Sequence, residues 1–360
     1  MENEIFQLGG VLFYMNRKNA FRLVAGIIFL CFLCLGIFLA NAAVRPNEDR
    51  DGIWVTYRSL DSNSIDVLCT GSSKIHANVN PLIMWREHGF TSYDISGSSM
   101  DLNTMYYYLR EAFKTQTPKV VVIDILLMGD KRTSLDDIQK RNIMIMPFGA
   151  NKFAAAMSEN VFPADREKVL FPMEQFHSRV LIPGQVVSTG YLNKTFAQES
   201  NNVFMGYRYL GSAMPCELNE QIQKYDDQLF DRHFLELKRS LDFLAAQDCQ
   251  VLLVNTPSSS PNNLFFYENE LEKRIAKSYK NVSYYWPRMY RQPLNLDYAT
   301  ELLDSGHLNN KGAGKFSKLL GNHIDFLFSQ ELKKSHTTRA TANKFQADYN
   351  RYYAYSIRQM

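Results

Sequence analysis

The chain has 360 residues, with 40 Lys or Arg against 37 Asp or Glu, for a formal net charge of +3. That length allows one large domain or two modest ones, and 46% apolar with 21% charged residues is a globular composition. So small a net charge, with no basic stripe interleaved with aromatics, excludes nucleic acid as the expected partner.

Residues 23–40, LVAGIIFLCFLCLGIFLA, form an unbroken apolar run without charge. As a helix this run is about 27 Å long, close to the hydrocarbon thickness of a bilayer. Arg17, Lys18 and Arg22 precede it, so the positive-inside rule places residues 1–22 in the cytoplasm and everything beyond the run outside. Ala40-Asn41-Ala42 fits a signal-peptidase site, which leaves two readings: an anchor over residues 23–44 that stays, or a leader cleaved after Ala42. The run is long for a leader, and some twenty residues precede it, so the retained anchor is the favoured reading. Cys31 and Cys34 lie within the run, and Cys69, Cys216 and Cys249 are scattered beyond it. Three is an odd count with no framework spacing, and the seven histidines have no metal-ligand partner outside the run. Neither a metal nor another cofactor is expected.

Residues 45–60 read as a linker. From there strands and helices alternate. A buried strand is expected over 65–70, a short helix over 81–88, a strand over 91–95 and a helix over 101–115. Residues 119–127, KVVVIDILL, are too apolar and β-branched for a sheet with one wet face. Residues 129–226 break the rhythm and read as an insertion folded against the sheet. The alternation resumes with an amphipathic helix over 228–247, in which Phe230, Phe234, Leu237, Leu241 and Leu244 recur in steps of four and three. Then come a strand over 250–257, a helix over 266–279, a strand over 281–286 and a last helix over 311–328. The pattern predicts an α/β domain over 61–331, a three-layer αβα sandwich on a parallel sheet. Residues 332–360 are a polar, Tyr-rich tail, helical or disordered.

Two segments carry chemistry. IDVLCTGSSKIHANVNP (65–81) ends a buried strand at Gly71 and places Ser72, Ser73 and Lys74 on the turn that follows. Gly and Ser are ordinary turn residues, but a serine held at a strand's end is also where a nucleophile would stand. LLDSGHLNNKGAGKF (302–316) places Asp304 three residues before His307, ahead of the last helix. An aspartate at that spacing can curl back to Nδ1 of the imidazole, leaving Nε2 free to take a serine's proton. A polar loop capped by Asn309 or Asn310 is the structural alternative.

Together, Gly71-Ser72-Ser73 and Asp304-Ser305-Gly306-His307 resemble the SGNH/GDSL hydrolase superfamily, and most nearly its membrane-anchored envelope branch of DltD-like and alginate-acetylation-like proteins. The resemblance covers the layout of residues 62–328, and only these two blocks are specific. It implies Ser73 as nucleophile, with Ser72 where most of the superfamily has aspartate, and His307 and Asp304 as the catalytic pair. It makes the N–H groups of Ser73 and Gly97 the oxyanion hole. The superfamily's third-block asparagine has no counterpart, because Asp124 stands there, and Asp124 reads as a structural strand-end residue. A His-Ser-Arg segment like that of these relatives occurs at His177-Ser178-Arg179, which makes Arg179 and His177 candidate substrate contacts; a structural ion pair is the other reading of Arg179. His76 is expected at a pocket rim or in solvent, and Lys74 as an exposed turn lysine.

The resemblance further implies an acyl donor and an envelope glycan or teichoic-type polymer as substrates, and a multi-spanning acyltransferase of the MBOAT type as partner. The expected function is acyl transfer through an acyl-Ser73 intermediate. A plain envelope esterase and an inactive polymer-binding domain are the alternatives.

Overall fold

The computed structural model describes residues 3–8, 11–44, 51–172, 203–333 and 337–359. Strands β1 (Asn3–Leu8) and β2 (Val11–Asn16) form an antiparallel hairpin that runs directly into helix α1 (Arg17–Val44). Within α1, Lys18–Ile37 has a mean hydropathy of 2.5 and buries none of its length in the protein. It is long and apolar enough to cross a membrane.

Within the expected linker, residues 51–59 are helical. Helix α2 (Asp51–Ser59) buries Ile53, Trp54 and Tyr57 against the domain. Tyr57 stacks edge-on with Tyr93, and its hydroxyl reaches the Ala112 carbonyl at 3.3 Å. Three aromatic or aliphatic side chains in one nine-residue stretch gain more from burial than an extended connection would.

Five parallel strands form the core: β3 (Val67–Gly71), β4 (Ser92–Ser96), β5 (Val120–Asp124), and, after the insertion, β8 (Gln250–Val254) and β9 (Val282–Tyr285). Their order in the sheet is β4-β3-β5-β8-β9. β3, β4 and β5 are buried at every position, as a sheet covered on both faces requires.

The chain steps from β3 to β4 in one direction and from β4 over β3 to β5 in the other. Right-handed crossovers therefore send their helices to opposite faces. Helices α3 (Ser73–Asn78) and α4 (Pro81–His88) lie on one face, where α12 (Asn310–Leu332) packs on both. Helices α5 (Leu102–Ala112) and α9 (Asp227–Ala246) pack together on the other. Helix α10 (Phe265–Ile275) and the short helix α11 (Pro287–Leu294) link β8, β9 and α12. Side-chain caps set the helix starts. Asn80 accepts the N–H groups of Leu82 and Ile83, Asp101 that of Thr104, and Asp226 that of Leu229.

The described parts of the insertion fold against this frame. Helices α6 (Asp137–Ile145), α7 (Ala150–Ala156) and α8 (Arg166–Leu170) pack on one another, and α7 packs on α5. The hairpin β6 (Val203–Phe204) and β7 (Tyr207–Arg208) closes on β4, whose Asp94 N–H donates to the Met205 carbonyl at 3.0 Å. Gly206 is required there: φ is +86°, and a Cβ would stand 2.0 Å from the Asp94 carbonyl oxygen.

The C-terminal tail is helix α13 (Arg339–Gln359) and belongs to the domain. Phe345 is fully buried with its ring 5.4 Å from that of Trp85 on α4. Tyr352 donates to the Asn310 side chain at 2.8 Å, at the start of α12. Phe345→Ala should therefore cost about 3–5 kcal/mol, read as a fall in the unfolding midpoint of the whole domain. An unchanged midpoint would mean that α13 is not part of the cooperative unit.

Candidate active site

In a parallel sheet of this order, ligands bind beyond the carboxyl ends of the strands, at the point where the strand order reverses. That point lies between β3 and β5. β3 ends at Gly71, with φ +144°, where a Cβ would sit 2.9 Å from the Cβ of Asp124 at the end of β5. Only glycine lets the turn pass so close to its neighbour.

The next residue turns inward. Ser72 caps α3 by accepting the Lys74 N–H at 3.3 Å and donates its hydroxyl to Asp124 Oδ2 at 3.2 Å. Asp124 is buried and also accepts from the N–H and hydroxyl of Thr256, each at 3.2 Å. It is a structural strut under the turn. Removing one cap and one buried bond, Ser72→Ala should cost about 1–2 kcal/mol of stability without removing any reactive group.

Ser73, the first residue of α3, is half-buried, and its Oγ lies 2.8 Å from His307 Nε2. His307 Nδ1 lies 2.9 Å from each carboxylate oxygen of Asp304. The pair is held on one tight turn. Leu302 and Leu308 form an antiparallel bridge, the Leu303 N–H donates to the His307 carbonyl at 2.9 Å, and Asp304 Oδ1 accepts the N–H groups of Gly306 and His307 at 2.8 and 2.9 Å. Asn309 then caps α12 through the N–H groups of Lys311 and Gly312. Partial burial raises the Asp304 carboxyl's pKa, but the bonds from Gly306 and His307 outweigh it and hold the group below the ordinary carboxylate value. Asp304 is therefore ionised and fixes the proton on Nδ1, which leaves Nε2 to accept from Ser73.

The surroundings differ from expectation at three residues. The Gly97 N–H donates to the Gly71 carbonyl at 3.2 Å, extending the β3–β4 ladder, so it is taken up before any oxyanion arrives. The side chain of buried Asn142 covers this glycine: a Cβ at Gly97 would stand 2.2 Å from Asn142 Oδ1, and Nδ2 donates to the Ser98 carbonyl at 3.0 Å. Of the two expected oxyanion donors, the Ser73 N–H remains, as a first-turn amide without an intrahelical partner.

Lys74 is buried rather than exposed, because α3 begins at Ser73 and directs the next side chain under the turn. Its Nζ donates to the Thr256 carbonyl at 3.3 Å, and burial lowers its pKa against the pull of Asp124 and Glu268. His76 is buried too, with Nδ1 3.0 Å from Ser96 Oγ at the end of β4. His177 and Arg179 lie outside the described residues.

A cleft lined by neither Ser73, Asp304 nor His307 opens between the start of α5 and α9, among Asp101, Asp130, Asn160, Arg232, His233 and Glu236 and others. Burial and the nearby Asp101 push the Glu236 carboxyl up to about 7 from an ordinary value of 4.5. Its folded form thus holds a proton that the unfolded chain releases, so stability falls as pH rises from about 4.5 to 7. Glu236→Gln should flatten that decline, measured as unfolding midpoint against pH. An unaltered slope would mean that Glu236 titrates normally.

No protein-family model matches the chain, and no curated protein matches it in sequence.

Proposed function

We propose that this is a serine acyltransferase of SGNH type, anchored by α1 with its α/β domain on the extracytoplasmic side. The observation that carries the reading is the unbroken chain from Ser73 Oγ through the His307 ring to Asp304, at 2.8 and 2.9 Å. A serine hydroxyl becomes a nucleophile when an oriented imidazole takes its proton, and a carboxylate behind the ring stabilises the imidazolium that forms.

In the proposed reaction, Ser73 Oγ attacks the carbonyl carbon of an acyl ester while His307 Nε2 takes the hydroxyl proton. The tetrahedral intermediate collapses, and His307 returns the proton to the departing alkoxide. An acceptor hydroxyl on an envelope glycan or teichoic-type polymer then gives its proton to His307 Nε2 as it attacks acyl-Ser73, and His307 returns that proton to the departing Ser73 Oγ, regenerating the free serine. Water in the acceptor's place gives an esterase by the same steps. A multi-spanning acyltransferase of the MBOAT type is the proposed partner, delivering the acyl donor at the membrane.

One observation favours the non-catalytic alternative, a domain that binds polymer without acylating it: the Gly97 N–H is occupied by the Gly71 carbonyl. A single missing oxyanion donor costs about 3 kcal/mol, which slows such a site without silencing it.

The test uses the full chain in detergent with an activated acyl ester and a glycan acceptor. Expected are acyl-Ser73 by intact mass and acylated acceptor in excess of free acid. Free acid alone would indicate an esterase. No acyl-enzyme and no product from folded protein would leave the polymer-binding reading.

A further inference from the structure

We infer that Asn78 is the positioning residue that holds Ser73 and His307 in register, an inference that rests on the acyl-transfer reading of the site. Asn78 is the last residue of α3, the six-residue helix that Ser73 begins. Its side chain is fully buried and uses both ends of the amide. Oδ1 accepts the N–H of Leu308, the residue after His307, at 2.8 Å. Nδ2 donates to the Pro257 carbonyl, in the loop beyond β8, at 2.9 Å.

The contacts within the histidine's own turn explain why such a clamp is needed. The Leu302–Leu308 bridge and the bonds around Asp304 fix aspartate to histidine, but all of them lie inside residues 302–308. The turn is also tied outward, by the Ser259 N–H to the Ser305 carbonyl at 2.9 Å and the Met214 N–H to the Leu302 carbonyl at 3.0 Å, but neither bond comes from the helix that carries Ser73. Asn78 ties the nucleophile's own helix to the backbone beside His307. Pro257 anchors the amide from the other side, so it cannot rotate without leaving a buried group unpaired. A displacement of about 1 Å between reacting groups is enough to cost on the order of 100-fold in rate.

Asn78→Ala removes both bonds, while Asn78→Asp keeps an acceptor for Leu308 and loses the donor to Pro257. Gln116→Ala is the control. Gln116 is equally buried and holds the Ser64 and Ile65 N–H groups and the Asp61 carbonyl, next to the start of β3 and away from Ser73.

The rate of fluorophosphonate labelling, per mole of folded full-length protein, should fall about 10- to 100-fold in Asn78→Ala and less in Asn78→Asp. It should stay within about twofold in Gln116→Ala. A second readout needs no turnover: in protein with 15N-labelled histidine, Ser73→Ala should shift the His307 Nε2 resonance in the wild-type background but not in the Asn78→Ala background. If Asn78→Ala does not fold, Asn78→Asp carries both measurements.

Labelling of folded Asn78 variants at the wild-type rate, or an undiminished effect of Ser73→Ala on the resonance, would overturn the clamp. A wild-type protein that resists labelling would instead count against acyl transfer, and the resonance would still decide the role of Asn78.

Discussion

Ser73→Ala should abolish covalent labelling by a fluorophosphonate and lower acyl transfer by roughly 10⁴- to 10⁶-fold. The size follows from what is removed: the proposed nucleophile, held 2.8 Å from the proposed base. His307→Ala should cost about as much, and the double variant little more than either single one, because the two groups act as one unit. Losses that multiplied would mean that serine and histidine work independently. Ser72→Ala is the internal comparison, since its hydroxyl is directed to Asp124 and the start of α3. A Ser72 variant as inactive as the Ser73 variant would reassign the nucleophile.

Asp304→Asn should be the second largest loss, on the order of 10⁴-fold. The amide would still fit the turn, but it no longer forces the proton onto Nδ1 of His307. An Nδ2 group facing Nδ1 stabilises the opposite tautomer, which puts a proton on Nε2 and blocks acceptance from Ser73. Nor can a neutral amide stabilise the imidazolium. The depressed Asp304 pKa keeps this carboxylate ionised through the neutral range, so it orients the ring there. Retention of wild-type activity would show that Asp304 is only the cap of its own turn, a role its bonds to the Gly306 and His307 N–H groups already supply.

The sheet was legible in the sequence because its strands are buried on both faces. VLCTG and VVVID are short apolar or β-branched runs that stop at a glycine or an acid, and they appear as β3 and β5 within two or three residues of the expected ends. Helix α4 begins and ends at the expected positions, where proline starts it and glycine stops it. That the segments of Ser73 and of Asp304 with His307 meet was legible for a different reason. Ser73 is fixed by what precedes it in the chain, and Asp304 and His307 lie on one turn, so each half of the site is local.

What joins the halves is not local. Asn78 is an unremarkable polar residue in "KIHANVNP", and its two partners are 179 and 230 residues away. The occupied Gly97 N–H could not be read from a Gly-Ser-Ser turn, because it depends on the Gly71 carbonyl of the neighbouring strand. Lys74 and His76 were misjudged by the same route. Residue type favours solvent for both, and tertiary structure overrides it with Thr256 and Ser96. The tail was opaque because its apolar residues are few. Phe345 and Tyr352 suffice only because α4, β6 and α12 supply the matching surface.

The most direct measurement is site mapping of the fluorophosphonate adduct by peptide mass spectrometry on folded, detergent-solubilised full-length protein. A charge chain of Ser73, His307 and Asp304 predicts one stoichiometric adduct on Ser73 in the wild type and none in folded His307→Ala. An unmodified Ser73 in folded wild-type protein, or equal modification with and without His307, would contradict it.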